Sequence, residues 1–355
     1  MQGGADLLPC SGAFEVRRSF WKPSSRRRLN RQRYVIRLGN LPELVRSEAS
    51  SRGIFAEHLA ACDGLIPPGC TCISTPQQYN ITVTVTIPQS CIPSDLDSGA
   101  TVFFYNGFGG KPILTAVDYA PYAAILASAG YGTVQYDVNQ ILAMVPDLEE
   151  LTFLPQIYNW LRRQQHQQPY GILADNLDLK NVALAGHSRG GKLAALQYAN
   201  GTLPNTFAAF LVDPVDNPCF AATPECYPPA REALAAAGKP IAAVGATIRG
   251  CCNPNHPSPG QPKACPFCTG YTAEDLVAAA GHGSPLYPRA AGHMQFAQLP
   301  AWEQGPANLA CHSNASVTSL EVIQDVAVLM VAWFDQELAK AKAGSAPATE
   351  QRVDM

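Results

Sequence analysis

The pentapeptide Gly186-His187-Ser188-Arg189-Gly190 constrains this chain more than any other stretch. Ahead of it, Asn181 to Ala185 is a short apolar run suited to a buried strand. Behind it, Gly191 to Asn200 reads Gly-Lys-Leu-Ala-Ala-Leu-Gln-Tyr-Ala-Asn, mostly good helix formers. A Gly-x-Ser-x-Gly pattern between strand and helix is a tight turn that pushes its serine towards strained dihedrals. Small residues on both sides let strand and helix approach closely. Ser188 therefore reads as a nucleophile rather than as part of an ordinary turn.

The rest of the chain supplies a matching frame. Tyr79 to Pro88 alternates strictly, as a strand with one wet face does. Ala100 to Tyr105, Thr133 to Asp137, Phe207 to Val212 and Ile241 to Ala246 read as further strands. Between them lie helical stretches at Tyr119 to Ala129, Asp147 to Gln165 and Arg231 to Ala237, and Val317 to Ala339 ends the series. The segment 147–165 reads as one long helix with Leu151, Leu154, Ile157, Tyr158 and Leu161 on one face. After Ala246 about forty residues rich in Pro, Gly and Cys read as a long functional or cross-linked loop. Strands alternating with helices imply right-handed crossovers and a mostly parallel sheet flanked by helices.

Charge divides the chain. Residues 1–46 hold ten of the 25 Lys and Arg but three of the 28 Asp and Glu, so an acidic body follows a basic head. An acidic body argues against a nucleic-acid partner. The head, residues 1–50, reads as disordered. Its Arg- and Ser-rich, acid-poor composition suits an organelle transit peptide as well as it suits a solvated tail, and it has no apolar core of a secretory signal. Residues 51–340 read as one catalytic domain and 341–355 as a disordered polar tail. The run Val326 to Phe334 is sized for a core helix and is too short to span a bilayer. Twelve cysteines include Cys251, Cys252, Cys265 and Cys268, whose CxxC pair has zinc-chelating spacing. Because the other pair is adjacent, a disulfide-tied loop or free thiols fit better than a metal. No metal or cofactor is expected.

A serine hydroxyl needs a base to take its proton. Asp213, ending the strand after the serine unit, is the favoured orienting acid, with Asp216 its rival. His293, in Ala290-Ala291-Gly292-His293-Met294, is the favoured base, and His282 is its rival. His256 and His312 read as loop residues, and His187 as a packing or hydrogen-bonding residue. An oxyanion needs donors. The Arg189 amide at the helix start is one, and the Phe108 amide in Asn106-Gly107-Phe108-Gly109-Gly110 is the expected second.

Three blocks, Gly186-His187-Ser188-Arg189-Gly190-Gly191-Lys192, Leu211-Val212-Asp213-Pro214-Val215-Asp216 and Gly292-His293-Met294, resemble the signature of chlorophyllase, a family of α/β-hydrolase fold. The resemblance runs from about Tyr79 to Phe334. It implies Ser188 as nucleophile, Asp213 as acid, His293 as base, and Phe108 and Arg189 amides around the oxyanion. It further implies hydrolysis of the phytyl ester of chlorophyll to chlorophyllide and phytol without a metal cofactor, peripheral contact with pigment-bearing membranes and a chloroplast location. Two features depart from the plant enzymes: Asn106-Gly107 replaces His-Gly, and Gln295-Phe296 replaces an acidic run. The Cys-rich loop 248–270 does not align readily. The chain thus resembles an algal or otherwise divergent member. Tyr105, Phe108, Leu114 and Tyr119 are candidates for the lining of an apolar pocket and equally for the core.

Overall fold

Eight strands form one sheet in the order β1-β2-β4-β3-β5-β6-β7-β8. In the computed structural model the described residues are 33–37, 81–88, 99–107, 114–138, 145–164, 173, 177–216, 227–250, 252 and 270–344. The strands are β1 (Arg33–Arg37), β2 (Ile81–Thr86), β3 (Ala100–Tyr105), β4 (Gly132–Val138), β5 (Asp178–His187), β6 (Thr206–Val212), β7 (Ala242–Ile248) and β8 (Leu286–Gly292). β2 runs antiparallel to both β1 and β4, and the remaining pairs are parallel. This mostly parallel sheet with helices on both faces is the α/β-hydrolase fold.

Burial explains the strand sequences. β3 is buried at all six positions and β5 from Val182 to His187, so both strands read as continuous apolar or small runs. β2 buries Ile81, Val83 and Val85 on one face, as its alternation requires. One face of the sheet is packed by α2 (Asp147–Glu150), α3 (Phe153–Gln164), α4 (Arg189–Ala199), α5 (Ala230–Ala237) and α6 (Ala273–Ala279). The other is packed by α1 (Ala120–Ser128) and α8 (Ser319–Gly344). α8 buries Val322, Ile323, Val326, Ala327, Met330, Trp333, Phe334 and Leu338, a helical stripe. Its Trp333 indole donates to the Ala209 carbonyl at 3.0 Å, fixing the helix across β6.

Three expectations are corrected. The segment 147–165 is two helices, α2 and α3, with a turn at Leu151 and Thr152. Pro155 has no N–H and fits only the first turn of a helix, so α3 begins afresh at Phe153. The buried stripe survives the break, since Leu151, Leu154, Ile157, Tyr158 and Leu161 are all buried. Within the head expected to be disordered, Arg33–Arg37 pairs with β2; Tyr-Val-Ile at its centre is a strand-forming triplet. The expected long loop after Ala246 contains α6 and β8. The α6 start carries a Thr272/Asp275 capping box, the Thr272 N–H donating to Asp275 Oδ2 at 2.9 Å. β8 hides its signal behind Pro288 and Arg289, which an edge strand tolerates. Finally α7 (Ala301–Cys311) forms although it holds Gly305 and Pro306.

Candidate active site

The turn at Ser188 joins the end of β5 to the start of α4. Ser188 has φ 57° and ψ −129°, a region that costs an L-residue on the order of 1–3 kcal/mol. Surrounding hydrogen bonds hold it there. The Ser188 N–H donates to Val212 O at 3.0 Å, and its carbonyl accepts the N–H groups of Gly191 and Val215, each at 3.0 Å. The flanking glycines have a steric reason. A Cβ on Gly186 would strike the Gly190 backbone, and one on Gly190 would strike the carbonyls of Tyr105 and Asn106. The strand, the turn and the next strand leave no room for a side chain at either position.

Two residues distant in sequence meet this serine. His293 begins a 3₁₀ turn (His293–Phe296) directly after β8, and its Nε2 lies 2.9 Å from Ser188 Oγ. Its Nδ1 lies 2.6 Å from Asp213 Oδ2. Asp213 stands at the end of β6 with φ 38°, its N–H donating to Val244 O at 2.7 Å. Its other oxygen accepts the Ala246 N–H at 2.8 Å. Burial alone would raise the Asp213 carboxyl. The hydrogen bond and charge of His293, with the Ala246 amide, outweigh burial and hold it below the ordinary aspartate value. An ionised Asp213 accepts only, so the imidazole carries its proton on Nδ1 and turns the Nε2 lone pair to the serine hydroxyl. That arrangement is competent to remove the Ser188 proton.

The rival residues lie elsewhere. Asp216 is fully buried beside Lys192, 3.5 Å away, and accepts the Arg231 N–H at 3.0 Å. His282 is exposed on the turn between α6 and β8, and His312 Nδ1 lies 2.9 Å from Arg249 O. His256 lies outside the described residues. His187 is buried between Tyr119 and the His293 backbone, Nδ1 2.7 Å from Tyr119 Oη and Nε2 3.0 Å from His293 O. Burial, reinforced by the neighbouring His293, pushes its imidazole down to about 3, so the ring is neutral at physiological pH.

Of the two expected oxyanion amides, Arg189 is the first residue of α4, where the N–H has no carbonyl one turn back and the helix dipole favours negative charge. Phe108 lies outside the described residues. Its neighbour Gly107 spends its N–H on Tyr119 Oη at 3.0 Å. Asn106, the departure from His-Gly, donates to Tyr136 O at 2.8 Å and to Asp137 Oδ1 at 2.9 Å, tying β3 to β4. Tyr105, Leu114 and Tyr119 are buried core side chains rather than exposed lining.

The sequence reading used Arg189 only for its amide. Its side chain is buried and donates to Asp147 at 2.7 Å, Glu150 at 2.5 Å and Val145 O at 2.6 Å. Lys192, one turn on, pairs with Asp147 at 2.7 Å and lies within 3.5 Å of Asp216. Tyr136 donates to Glu150 at 2.8 Å. Burial raises the Glu150 and Asp216 carboxyls, opposed by Arg189 and Lys192 respectively. This cluster clamps the start of α4 beneath the serine. Its signal was present in the sequence as two cations three apart on α4 and two carboxylates three apart in α2.

Cys252 is bonded to Cys311 at the end of α7, so one of the four clustered thiols is committed to a disulfide with a cysteine the sequence set apart. Cys251, Cys265 and Cys268 lie outside the described residues. Among the described residues no group of three His, Cys, Asp or Glu is placed to hold a metal ion, and no helix is long and apolar enough to cross a membrane.

The chlorophyllase family model matches residues 90–263 of this chain. Residues 90–263 belong to the chlorophyllase family. The match takes in Ser188 and Asp213, and His293 follows it. No curated protein matches the chain. Among solved structures the chain is similar to Est1E from Butyrivibrio proteoclasticus, at 13% identity over 74% of this chain and 96% of that one, TM-score 0.43. It is similar also to a ferulic acid esterase from Streptomyces cinnamoneus, at 16% identity over 73% and 83%, TM-score 0.42. A third is the carboxylesterase Cest-2923 from Lactobacillus plantarum WCFS1, at 18% identity over 61% and 78%, TM-score 0.41. Family and site chemistry together make this chain an ester hydrolase.

Proposed function

We propose that the protein is a serine esterase that cleaves the phytyl ester of chlorophyll, with Ser188 as nucleophile, His293 as general base and Asp213 as orienting acid. The observation that carries the reading is His293 Nε2 at 2.9 Å from Ser188 Oγ, inside a chain that matches the chlorophyllase family. In the first half-reaction Ser188 Oγ attacks the ester carbonyl carbon while its proton passes to Nε2. The tetrahedral oxyanion takes hydrogen bonds from the Arg189 amide and from the Phe108 amide of the loop after β3. The bond to the phytyl oxygen breaks, and His293 returns the proton to the leaving alkoxide, which departs as phytol. In the second half-reaction a water gives its proton to His293 and attacks the acyl carbon. Oγ then leaves, reclaims the proton, and chlorophyllide is released. The magnesium belongs to the substrate and takes no part. An apolar ester agrees with α7, which begins five residues after the end of the His293 turn and exposes Trp302 and Leu309. The Arg- and Ser-rich head supports action at pigment-bearing membranes of the chloroplast.

A second reading, an esterase for other carboxylic esters, is favoured by one observation: Asn106 binds β4 where the plant enzymes carry His, so this chain builds the edge of its site differently. Chlorophyllide release measured beside p-nitrophenyl ester turnover separates the two. Chlorophyll turnover abolished by Ser188→Ala is the expected result. Turnover of the small esters alone selects the second reading.

A further inference from the structure

The residue before the nucleophile has a second duty that the proposed reaction does not name. His187 sits at the end of β5 and is fully buried, so each of its ring nitrogens needs a partner. Both have one. Nδ1 lies 2.7 Å from Tyr119 Oη and Nε2 lies 3.0 Å from the backbone carbonyl of His293. Tyr119 Oη also accepts the Gly107 N–H at 3.0 Å.

The hydrogens can be placed in one way. The Gly107 amide can only donate, so Tyr119 Oη accepts there. The His293 carbonyl can only accept, so His187 Nε2 carries a proton. A neutral ring with its proton on Nε2 has an acceptor at Nδ1, which takes the Tyr119 hydroxyl proton. Burial keeps the ring neutral and the phenol protonated. The result is a directed chain: Gly107 N–H to Tyr119, Tyr119 O–H to His187, His187 Nε2–H to the His293 carbonyl. It joins Gly107, the residue before Phe108 in sequence, to the backbone of the base. The two imidazoles also pack against each other at a tilt, with ring centroids 4.6 Å apart and planes at 35°. Packing has been built around the chain: a Cβ on Gly107 would sit 2.8 Å from Tyr119 Oη and 3.2 Å from His187 Nδ1.

We propose that Tyr119 and His187 are positioning residues that set the separation between Gly107, just past the end of β3, and His293. The proposal rests on the triad reading above. It has two parts that can be measured. The first is geometric: a displaced base, or a shifted chain at Gly107, lowers the rate of the chemical step and leaves ground-state binding alone. The second is that His187 acts with Tyr119 as a unit.

The test uses the full chain and p-nitrophenyl acetate. Tyr119→Phe and His187→Phe keep the packing and remove the links. Each is expected to lower kcat by about 10–100-fold with KM within about twofold. The double variant is expected to fall no further than the worse single one. His187→Gln, which keeps a donor for the His293 carbonyl, is expected to recover part of the loss. Unchanged kcat, losses confined to KM, or losses that multiply in the double variant overturn the proposal. Should the variants fail to fold, ¹⁵N spectra of histidine-labelled wild-type protein still decide. A His187 ring with Nε2 protonated and Nδ1 bare between pH 5 and pH 8 is expected, and a ring protonated on Nδ1 overturns it. Failure of the parent reading looks different: wild-type turnover would survive Ser188→Ala.

Discussion

Replacing Arg189 by Met separates what its side chain does from what its amide does. The guanidinium is 3% exposed and makes three hydrogen bonds, to Asp147, Glu150 and Val145 O. Removing one partner of a buried ion pair costs about 3–5 kcal/mol, because the charge left behind has lost both water and its partner. Two features of this cluster hold the cost near the lower end. Asp147 retains Lys192 at 2.7 Å. Glu150 is already raised by burial and can take up a proton once the cation beside it is gone. A loss of about 3 kcal/mol lowers the thermal midpoint of a domain this size by about 6–12 °C. The backbone N–H at the start of α4 is still present in the variant, so kcat of the folded enzyme at 25 °C is expected within about threefold of wild type. Calorimetry at pH 7, with esterase kinetics well below the new midpoint, checks both halves. A midpoint shift under about 2 °C would show that the cluster contributes little. An intact midpoint with kcat down a hundredfold would place the side chain itself in the chemistry and refute the division argued here.

Asp213→Asn offers its amide where His293 needs an acceptor and reverses the imidazole tautomer. A fall in kcat of about 10⁴ with little change in KM is expected in steady-state kinetics. Glu150→Gln tests the linkage of folding to pH. A carboxyl raised on folding stabilises fully below its ordinary value of 4.5, and that stabilisation is lost as pH rises through the folded value, so the variant should show a flatter fall in midpoint than wild type as pH rises above 4.5. Asp213, held low in the folded state, works in the opposite sense, and its contribution is lost as pH falls through the folded value, below the ordinary 3.8. Cys311→Ser opens the bond to Cys252, 59 residues away, and should cost about 2–4 kcal/mol in denaturant titrations.

The site was legible where local chemistry dictates it. Ser188 needs an unusual turn, and only glycine fits at Gly186 and Gly190, so strand, turn and helix leave a mark in consecutive residues. Asp213 and His293 each follow a strand, His293 after the small residues Ala290, Ala291 and Gly292, which leaves a weaker mark. What escaped notice is non-local. β8 carries Pro288 and Arg289 because an edge strand needs fewer ladder bonds, and α7 contains Gly305 and Pro306 although it is a helix. The break between α2 and α3 is set by one proline whose missing N–H a helical pattern does not register. The clamp of Arg189 and Lys192 on Asp147, Glu150 and Asp216 draws on elements up to 69 positions apart, so no window of sequence displays it. His187 reads in sequence as a packing or hydrogen-bonding residue, and its two partners are set only by β5, the start of α1 and the His293 turn together.

The most direct test is to treat the folded protein with a fluorophosphonate and map the adduct by peptide mass spectrometry. A single phosphonyl group on Ser188, formed fast in wild type and at least a hundredfold slower in His293→Ala, is the predicted outcome. A wild-type Ser188 that stays unmodified, or one that reacts equally fast without His293, contradicts the account.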